Sequence, residues 1–206
     1  MTELQTKVLE TKRLILRRLI MDDLEALAAL YSDPEVRQYF PEGTLTYEET
    51  KEELEWIIKV YYGQYGFGLW ATIYKETGEL IGRCGLLPWT IEQRPEVEVA
   101  YLLAKKYWEQ GLGTEAAQAI LDYGFEQLHL SRLICLIDPA NQASVKVARK
   151  IGMTLEKEGE IDGEPTLLYS RSKQPSLSES SGSTISQTYP GGRTLNWREN
   201  TEFGND

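Results

Sequence analysis

Apolar and polar positions along this chain change period several times, and the changes divide it into elements. From Arg13 to Arg17 they alternate singly, as in a half-buried strand. From Asp22 to Tyr31 leucines and alanines recur at helical spacing behind an acidic start, and Ser32-Asp33-Pro34 ends the run. Thr46-x-x-Glu49 has the form of a capping box, in which each side chain accepts from the other residue's backbone N–H. It opens a helix carrying Leu54, Ile57, Ile58 and Tyr61 on one face, and Gly63 to Gly68 closes it. Three strands follow at 67–74, 80–87 and 96–103, the first two joined as a hairpin through Glu76-Thr77-Gly78. An amphipathic helix spans Glu115 to Leu128, and a buried strand spans Arg132 to Ile137. Asp138-Pro139-Ala140 forces a break, after which Asn141 caps a helix that stops at Gly152. Strands 154–161 and 166–172, joined by Asp162-Gly163-Glu164-Pro165, read as a terminal hairpin. The order βααβββαβαββ predicts one mixed α/β domain over residues 1–172. From 173 to 206 serine, glycine and threonine replace any periodicity, which predicts a flexible C-terminal tail whose Leu195, Trp197 and Phe203 are its docking candidates.

Charge narrows the partners. The 206 residues carry 22 basic and 32 acidic side chains, a net charge of -10, with no dense lysine or arginine block. This excludes a general binder of nucleic acid or of anionic membranes. No basic start leads into an apolar stretch, and no run is long enough to cross a bilayer, so a cytoplasmic protein without a membrane partner is expected. Cys84 and Cys135 lie in apolar strand segments away from any histidine or second cysteine, which predicts buried free thiols. His129 is the single histidine and falls in a polar turn, leaving metal-hydrolase and Ser-His-Asp chemistry without support.

The candidate chemistry lies in Trp108-Glu109-Gln110-Gly111-Leu112-Gly113-Thr114-Glu115-Ala116, between a strand and a helix. Its glycines permit a tight turn, and the first N–H groups of the next helix have no partner within it, so an anion fits there. A phosphate-binding P-loop requires Gly-Lys-Ser or Gly-Lys-Thr, whereas Gly113 precedes Thr114 and Glu115. A dinucleotide fingerprint is a nearer rival, since Gly111-x-Gly113-x-x-Ala116 matches it and Asp138 ends the next strand. Against it, Ala104 to Gln110 separates the strand from the first glycine. Taken alone, the segment leaves a ligand site and a plain turn both open.

Three further segments accompany the loop: Thr11 to Arg17, Glu98-Val99-Ala100-Tyr101-Leu102-Leu103, and Asn141-x-x-Ser144 with Lys150-Ile151-Gly152-Met153. In this order they resemble the GNAT superfamily of acyl-CoA-dependent N-acyltransferases, and within it the Rim-type group that acetylates protein N-termini and other amines. The resemblance covers about residues 9 to 172. It implies a mixed, mostly antiparallel central sheet, splayed at the fourth strand and flanked by helices, with acetyl-CoA as cosubstrate. On this resemblance the loop of Glu109, Gln110, Gly111, Leu112, Gly113 and Thr114 binds the coenzyme pyrophosphate. Backbone at Val99, Tyr101 and Leu103 pairs with the pantetheine arm, and Asn141 bonds that arm or caps its helix.

Glu98 matches the family's acidic position and is the implied general base, with Glu96 as its neighbour in either a catalytic or a solvated role. Many relatives carry a tyrosine seven residues beyond the asparagine to protonate the leaving thiolate. Here that position is Ala148, and Ser144 is the remaining candidate. Tyr39 and Phe40 fall where such folds border the acceptor pocket. The acceptor expected is a primary amine, on a protein N-terminus or a small molecule, and the acidic surface favours a cationic one. A monomer or homodimer is expected. Two other functions fit parts of the sequence: a non-catalytic acyl-CoA-binding module and a dinucleotide-dependent oxidoreductase.

Overall fold

The computed structural model of the chain describes residues 7–173 and 193–199. Its strands are β1 (Lys7–Glu10), β2 (Leu14–Arg18), β3 (Leu69–Tyr74), β4 (Leu80–Ile91), β5 (Arg94–Leu103), β6 (Arg132–Ile137), β7 (Thr154–Ile161), β8 (Glu164–Ser172), β9 (Arg193–Leu195) and β10 (Trp197–Glu199). The helices are α1 (Leu24–Tyr31), α2 (Tyr47–Trp56), α3 (Leu112–Glu126) and α4 (Gln142–Lys150). One sheet runs in the order β1-β2-β3-β4-β5-β6-β8-β7-β10, with β9 added to β4. All neighbours are antiparallel except β5 with β6 and β4 with β9. The expected mixed, mostly antiparallel sheet is therefore present, and its splayed fourth predicted strand is β5.

Strand alternation sends β5 side chains to two separate cores. Val97, Val99 and Leu103 pack with Ala116, Ile120 and Leu121 of α3 and with Val145 and Ala148 of α4. Leu102 and Ala100 face the other way, against Leu27, Leu30 and Tyr31 of α1 and Leu54 of α2. The sheet is thus covered on both sides, with α1 and α2 on one face and α3 and α4 on the other. Among the described residues no helix is long and apolar enough to cross a membrane. Both cysteines are free and buried.

Local signals set most boundaries. The capping box at α2 is formed: the Thr46 hydroxyl accepts from the Glu49 N–H, and the Glu49 carboxylate accepts from the Thr46 N–H at 2.7 Å. α2 then widens into a π-helical stretch, Ile57–Tyr65, and stops at Gly66 with φ at 75°. Asn141 caps α4 by accepting from the Ser144 N–H at 3.0 Å.

Three features depart from the sequence expectation, the first being β1, which lies before the first predicted strand. β4 and β5 extend past 87 and before 96 and are joined by Glu92-Gln93, both at positive φ (49° and 63°), as a two-residue hairpin turn requires. Pro88 is tolerated in β4 because on the edge away from β5 the pairing with β3 ends at Gly85 and that with β9 begins at Trp89, so no partner needs its missing N–H.

The third departure concerns the expected free tail. Residues 193–199 lie in the sheet: β9 runs beside Trp89, Thr90 and Ile91 of β4, and β10 beside Gly159, Glu160 and Ile161 of β7. Leu195 and Trp197 pack against Ile91, Ile134 and Leu168, and the Lys157 ammonium sits 4.4 Å from the centre of the Trp197 ring. Burial of these two apolar side chains and pairing with two free strand edges compensate for ordering a polar segment. Phe203 lies outside the described residues.

Candidate active site

β5 and β6 touch at a single pair, Glu98 with Ile134, and then diverge. Beyond that point their backbone edges face each other across a wedge. The Cys135 thiol donates to the Val99 carbonyl at 3.2 Å, and the Tyr101 phenol donates to the Ser144 carbonyl at 3.1 Å. The pantetheine arm of a coenzyme carries amides, which match an unpaired strand edge of alternating N–H and C=O groups. The wedge thus brings Val99, Tyr101, Ser144 and Asn141 together.

At the far end of β5 the loop is shorter than expected. Gly111, at φ 76°, is the residue before α3, and Leu112, Gly113 and Thr114 already form the first helical turn. The first intrahelical bond runs from the Glu115 N–H to the Gly111 carbonyl, which leaves the preceding amides for a ligand. Helix dipoles add roughly half a positive charge there, so a diphosphate suits the site. Only Glu109, Gln110 and Gly111 of the six candidates are loop residues, and Glu109 is itself left-handed at φ 59°.

This loop is clamped from three sides. The Trp108 indole donates to the Leu103 carbonyl at 2.7 Å, Gln110 donates to the Lys106 carbonyl, and Arg13 donates to the Gln110 carbonyl. Glu115 ties the helix to the turn between β1 and β2, accepting from the Thr11 hydroxyl at 2.6 Å, the Arg13 N–H at 2.8 Å and Arg13 Nε at 2.7 Å. Burial works to raise the Glu115 carboxyl, but these donors outweigh it and hold its pKa below the usual value. A depressed carboxyl stabilises the fold above its unfolded value, near 4.3, and that contribution disappears as pH falls through the folded value. Glu115→Gln is therefore expected to lower the melting temperature at pH 7 and to lower it by less at pH 3. Parallel thermal melts of the two proteins at both pH values test this.

Glu98 sits where the wedge opens. One carboxylate oxygen accepts from the Trp89 indole at 2.7 Å, and the other faces the Leu136 N–H at 3.4 Å. Burial dominates over these two donors and lifts the carboxyl to about 7. Glu96 is different, because Arg132 holds both its oxygens at 3.1 Å and in turn pairs with Glu156 at 2.7 Å. Of the two glutamates, Glu98 is the one without a cationic partner in hydrogen-bond range.

The Ser144 N–H and carbonyl serve Asn141 and Tyr101, and Ala148 is fully buried one turn later. The sequence reading missed the Trp89 indole as a partner of Glu98, the Tyr101 phenol across the wedge, and the clamp of Thr11 and Arg13 on Glu115. Both ends of that clamp lie in segments already singled out, yet nothing local paired them. The dinucleotide arrangement is absent. That fold is built of parallel βαβ units paired along their strands, whereas here the parallel unit β5–α3–β6 is joined at one pair and, among the described strands, the only other parallel pairing is β9 on β4.

The description "Acetyltransferase (GNAT) domain" fits residues 13–154. An uncharacterized protein of Bacillus subtilis, YkkB, is 38% identical over 150 residues, 73% of this chain and 86% of that one. Among solved structures, a GNAT-family acetyltransferase from Bacillus anthracis aligns at 27% identity with a TM-score of 0.68, over 79% of this chain and 96% of its own. RimL, a ribosomal L7/L12 alpha-N-protein acetyltransferase in complex with coenzyme A, shares the fold at 19% identity and a TM-score of 0.66, over 81% of this chain and 97% of its own.

Proposed function

The chain belongs to the GNAT acetyltransferases, and from that premise we propose that it transfers an acetyl group from acetyl-CoA directly to a primary amine, in the cytoplasm and as a monomer or homodimer. Residues 1–172 supply the catalytic domain. In this reading the amides of Leu112, Gly113 and Thr114, with the turn at Glu109, Gln110 and Gly111, hold the coenzyme pyrophosphate. The edge from Val99 through Tyr101 to Leu103, with Asn141, aligns the pantetheine arm. Acetyl-CoA supplies the activated acetyl thioester.

Glu98 removes a proton from the arriving ammonium, directly or through a water, so that a neutral nitrogen attacks the thioester carbonyl. A β5 N–H polarises the carbonyl oxygen, the carbon–sulfur bond breaks, and Ser144 passes a proton to the departing sulfur while taking the one that the nitrogen sheds as the amide forms. Proximity in the wedge contributes a large part of the acceleration. The acceptor is the amine of a protein N-terminus, as in Rim-type enzymes, or of a small molecule.

The observation that carries this reading is the wedge itself: one pair of residues joins β5 to β6, and the carboxylate at that pair has its pKa lifted to about 7. Calorimetric titration with acetyl-CoA, with a nicotinamide dinucleotide as control, tests it. One-to-one binding of acetyl-CoA alone is expected. Binding of the dinucleotide instead would overturn the reading. Acetyl-CoA binding with no turnover on any amine would leave a non-catalytic acyl-CoA-binding module.

A further inference from the structure

Arg83 of β4 is a buried cation with slack partners. It stands opposite Leu102 of β5, and its residue is 6% exposed. Its Nε has no hydrogen-bond partner among the described residues. The nearest carboxylate, Glu53, lies 3.8 Å away, outside hydrogen-bond range, and is already engaged by the Tyr31 hydroxyl at 3.0 Å. A second guanidinium, Arg37, is 3% exposed and is held by the Gly43 carbonyl at 2.7 Å. Its own carboxylate partner, Glu42, is exposed and 3.7 Å away. The two guanidinium groups share the rings of Tyr31 and Phe40, from 4.3 to 5.8 Å. Burial and the neighbouring Arg83 charge are costly to the Arg37 cation, whereas Glu53 and Tyr31 keep Arg83 charged without a short ion pair.

The position of Arg83 gives that cost a use. Residues 98, 100 and 102 of β5 project to one face of the sheet, the face covered by α1 and α2, and Arg83 shares it. Four residues of strand, about 13 Å, separate Leu102 from Glu98. The Arg83 charge is among those acting on the Glu98 carboxyl. A planar guanidinium whose Nε–H is unused has the fork geometry that receives a carboxylate.

We infer that the acceptor carries a carboxylate a few bonds from its reactive amine, as a free amino acid does, with Arg83 binding the carboxylate while the amine reaches Glu98. This rests on the acetyltransferase reading of the site and names its substrate class. The acidic surface draws in the ammonium, and the local pair of arginines selects among amines. A polyamine would bring only positive charge to Arg83 and Arg37, and is disfavoured.

The test is a panel of the free L-amino acids set beside their decarboxylated amines, assayed with acetyl-CoA for turnover and, on the coenzyme A complex, for binding. At least one amino acid is expected to exceed its decarboxylated partner in kcat/KM by roughly ten- to a hundredfold, the range a lost charged hydrogen bond gives. Arg83→Gln and Arg83→Lys are expected to raise KM for the amino acid far more than they change kcat, collapsing the ratio within the pair. Acetyl-CoA titration of both variants shows whether the fold and coenzyme site survive, and Arg83→Lys serves if the glutamine variant does not fold. Equal or better use of the decarboxylated amines, no binding of any amino acid, or an unchanged ratio in a folded Arg83 variant overturns the inference and leaves the acetyltransferase reading standing. Failure of the native protein to bind acetyl-CoA overturns both.

Discussion

Glu98→Gln is expected to lower kcat by about two to four orders of magnitude, the usual contribution of a positioned general base, while the affinity for acetyl-CoA stays near that of the native protein. The amide keeps the shape of the carboxyl and can still accept from the Trp89 indole, so the wedge should hold its form. It cannot take a proton. In the native protein the carboxyl is lifted by burial to about 7, so kcat/KM is expected to rise with pH and level off above that value. The glutamine variant should lack this rise. A native profile flat from pH 5.5 to 8.5, or a variant that keeps the native slope, would remove Glu98 from the role of base.

The same carboxyl makes a second, opposite-signed prediction about stability. Its folded pKa lies above its unfolded value, so the unfolded state ionises first as pH rises from about 4.3 toward 7, and folding stability falls across that window. Glu98→Gln removes the linkage, and the variant should melt higher than the native protein at pH 8 while turning over far more slowly. Gain of stability with loss of activity is the pattern expected where a buried ionisable group is kept for chemistry. A merely solvated strand glutamate would show neither change.

Much of this arrangement was legible in local sequence because local physics produces it. The capping box at Thr46, the cap at Asn141, the hairpin turn at Asp162-Gly163 and the glycine turn before α3 are each decided by residues adjacent in the chain. Glu98 was found through a resemblance, and alternation along β5 then placed it on the face opposite Val97 and Val99. What escaped was long-range. Nothing near Arg83 in the apolar run Leu80 to Leu87 announces that Tyr31, Arg37 and Glu53 converge on it. Thr11 and Glu115 are 104 positions apart and joined at 2.6 Å. The strands at 193–199 arise because β4 and β7 have free edges, a property of the folded sheet that a tail rich in serine and glycine does not display. Even the extended β4–β5 hairpin hid behind Glu92-Gln93, which lacks the Asn-Gly or Asp-Gly signature although its backbone adopts the same turn.

Gly111→Asp should remove most of the affinity for acetyl-CoA, and the structure shows why charge decides the effect. The position is left-handed at φ 76°, which costs most residues about 1–2 kcal/mol, but asparagine and aspartate tolerate it best. Space is not limiting, since a Cβ there would meet only an Arg13 nitrogen at 3.6 Å, an ordinary contact. An aspartate would instead place its carboxylate beside the free amides of Leu112 and Gly113, within reach of Arg13, and occupy the helix N-terminus with its own negative charge. Two unit charges about 4 Å apart near a protein surface interact by about 4 kcal/mol, so the loss expected against a diphosphate is on the order of a thousandfold. Gly111→Asn has nearly the same shape and the same left-handed tolerance without the charge, and should lose only a few-fold. Calorimetric titration of both variants with acetyl-CoA, beside thermal melts showing that each is folded, separates strain from electrostatics. Equal losses in the two would assign the role of Gly111 to backbone geometry, and full affinity in the aspartate variant would move the diphosphate away from α3.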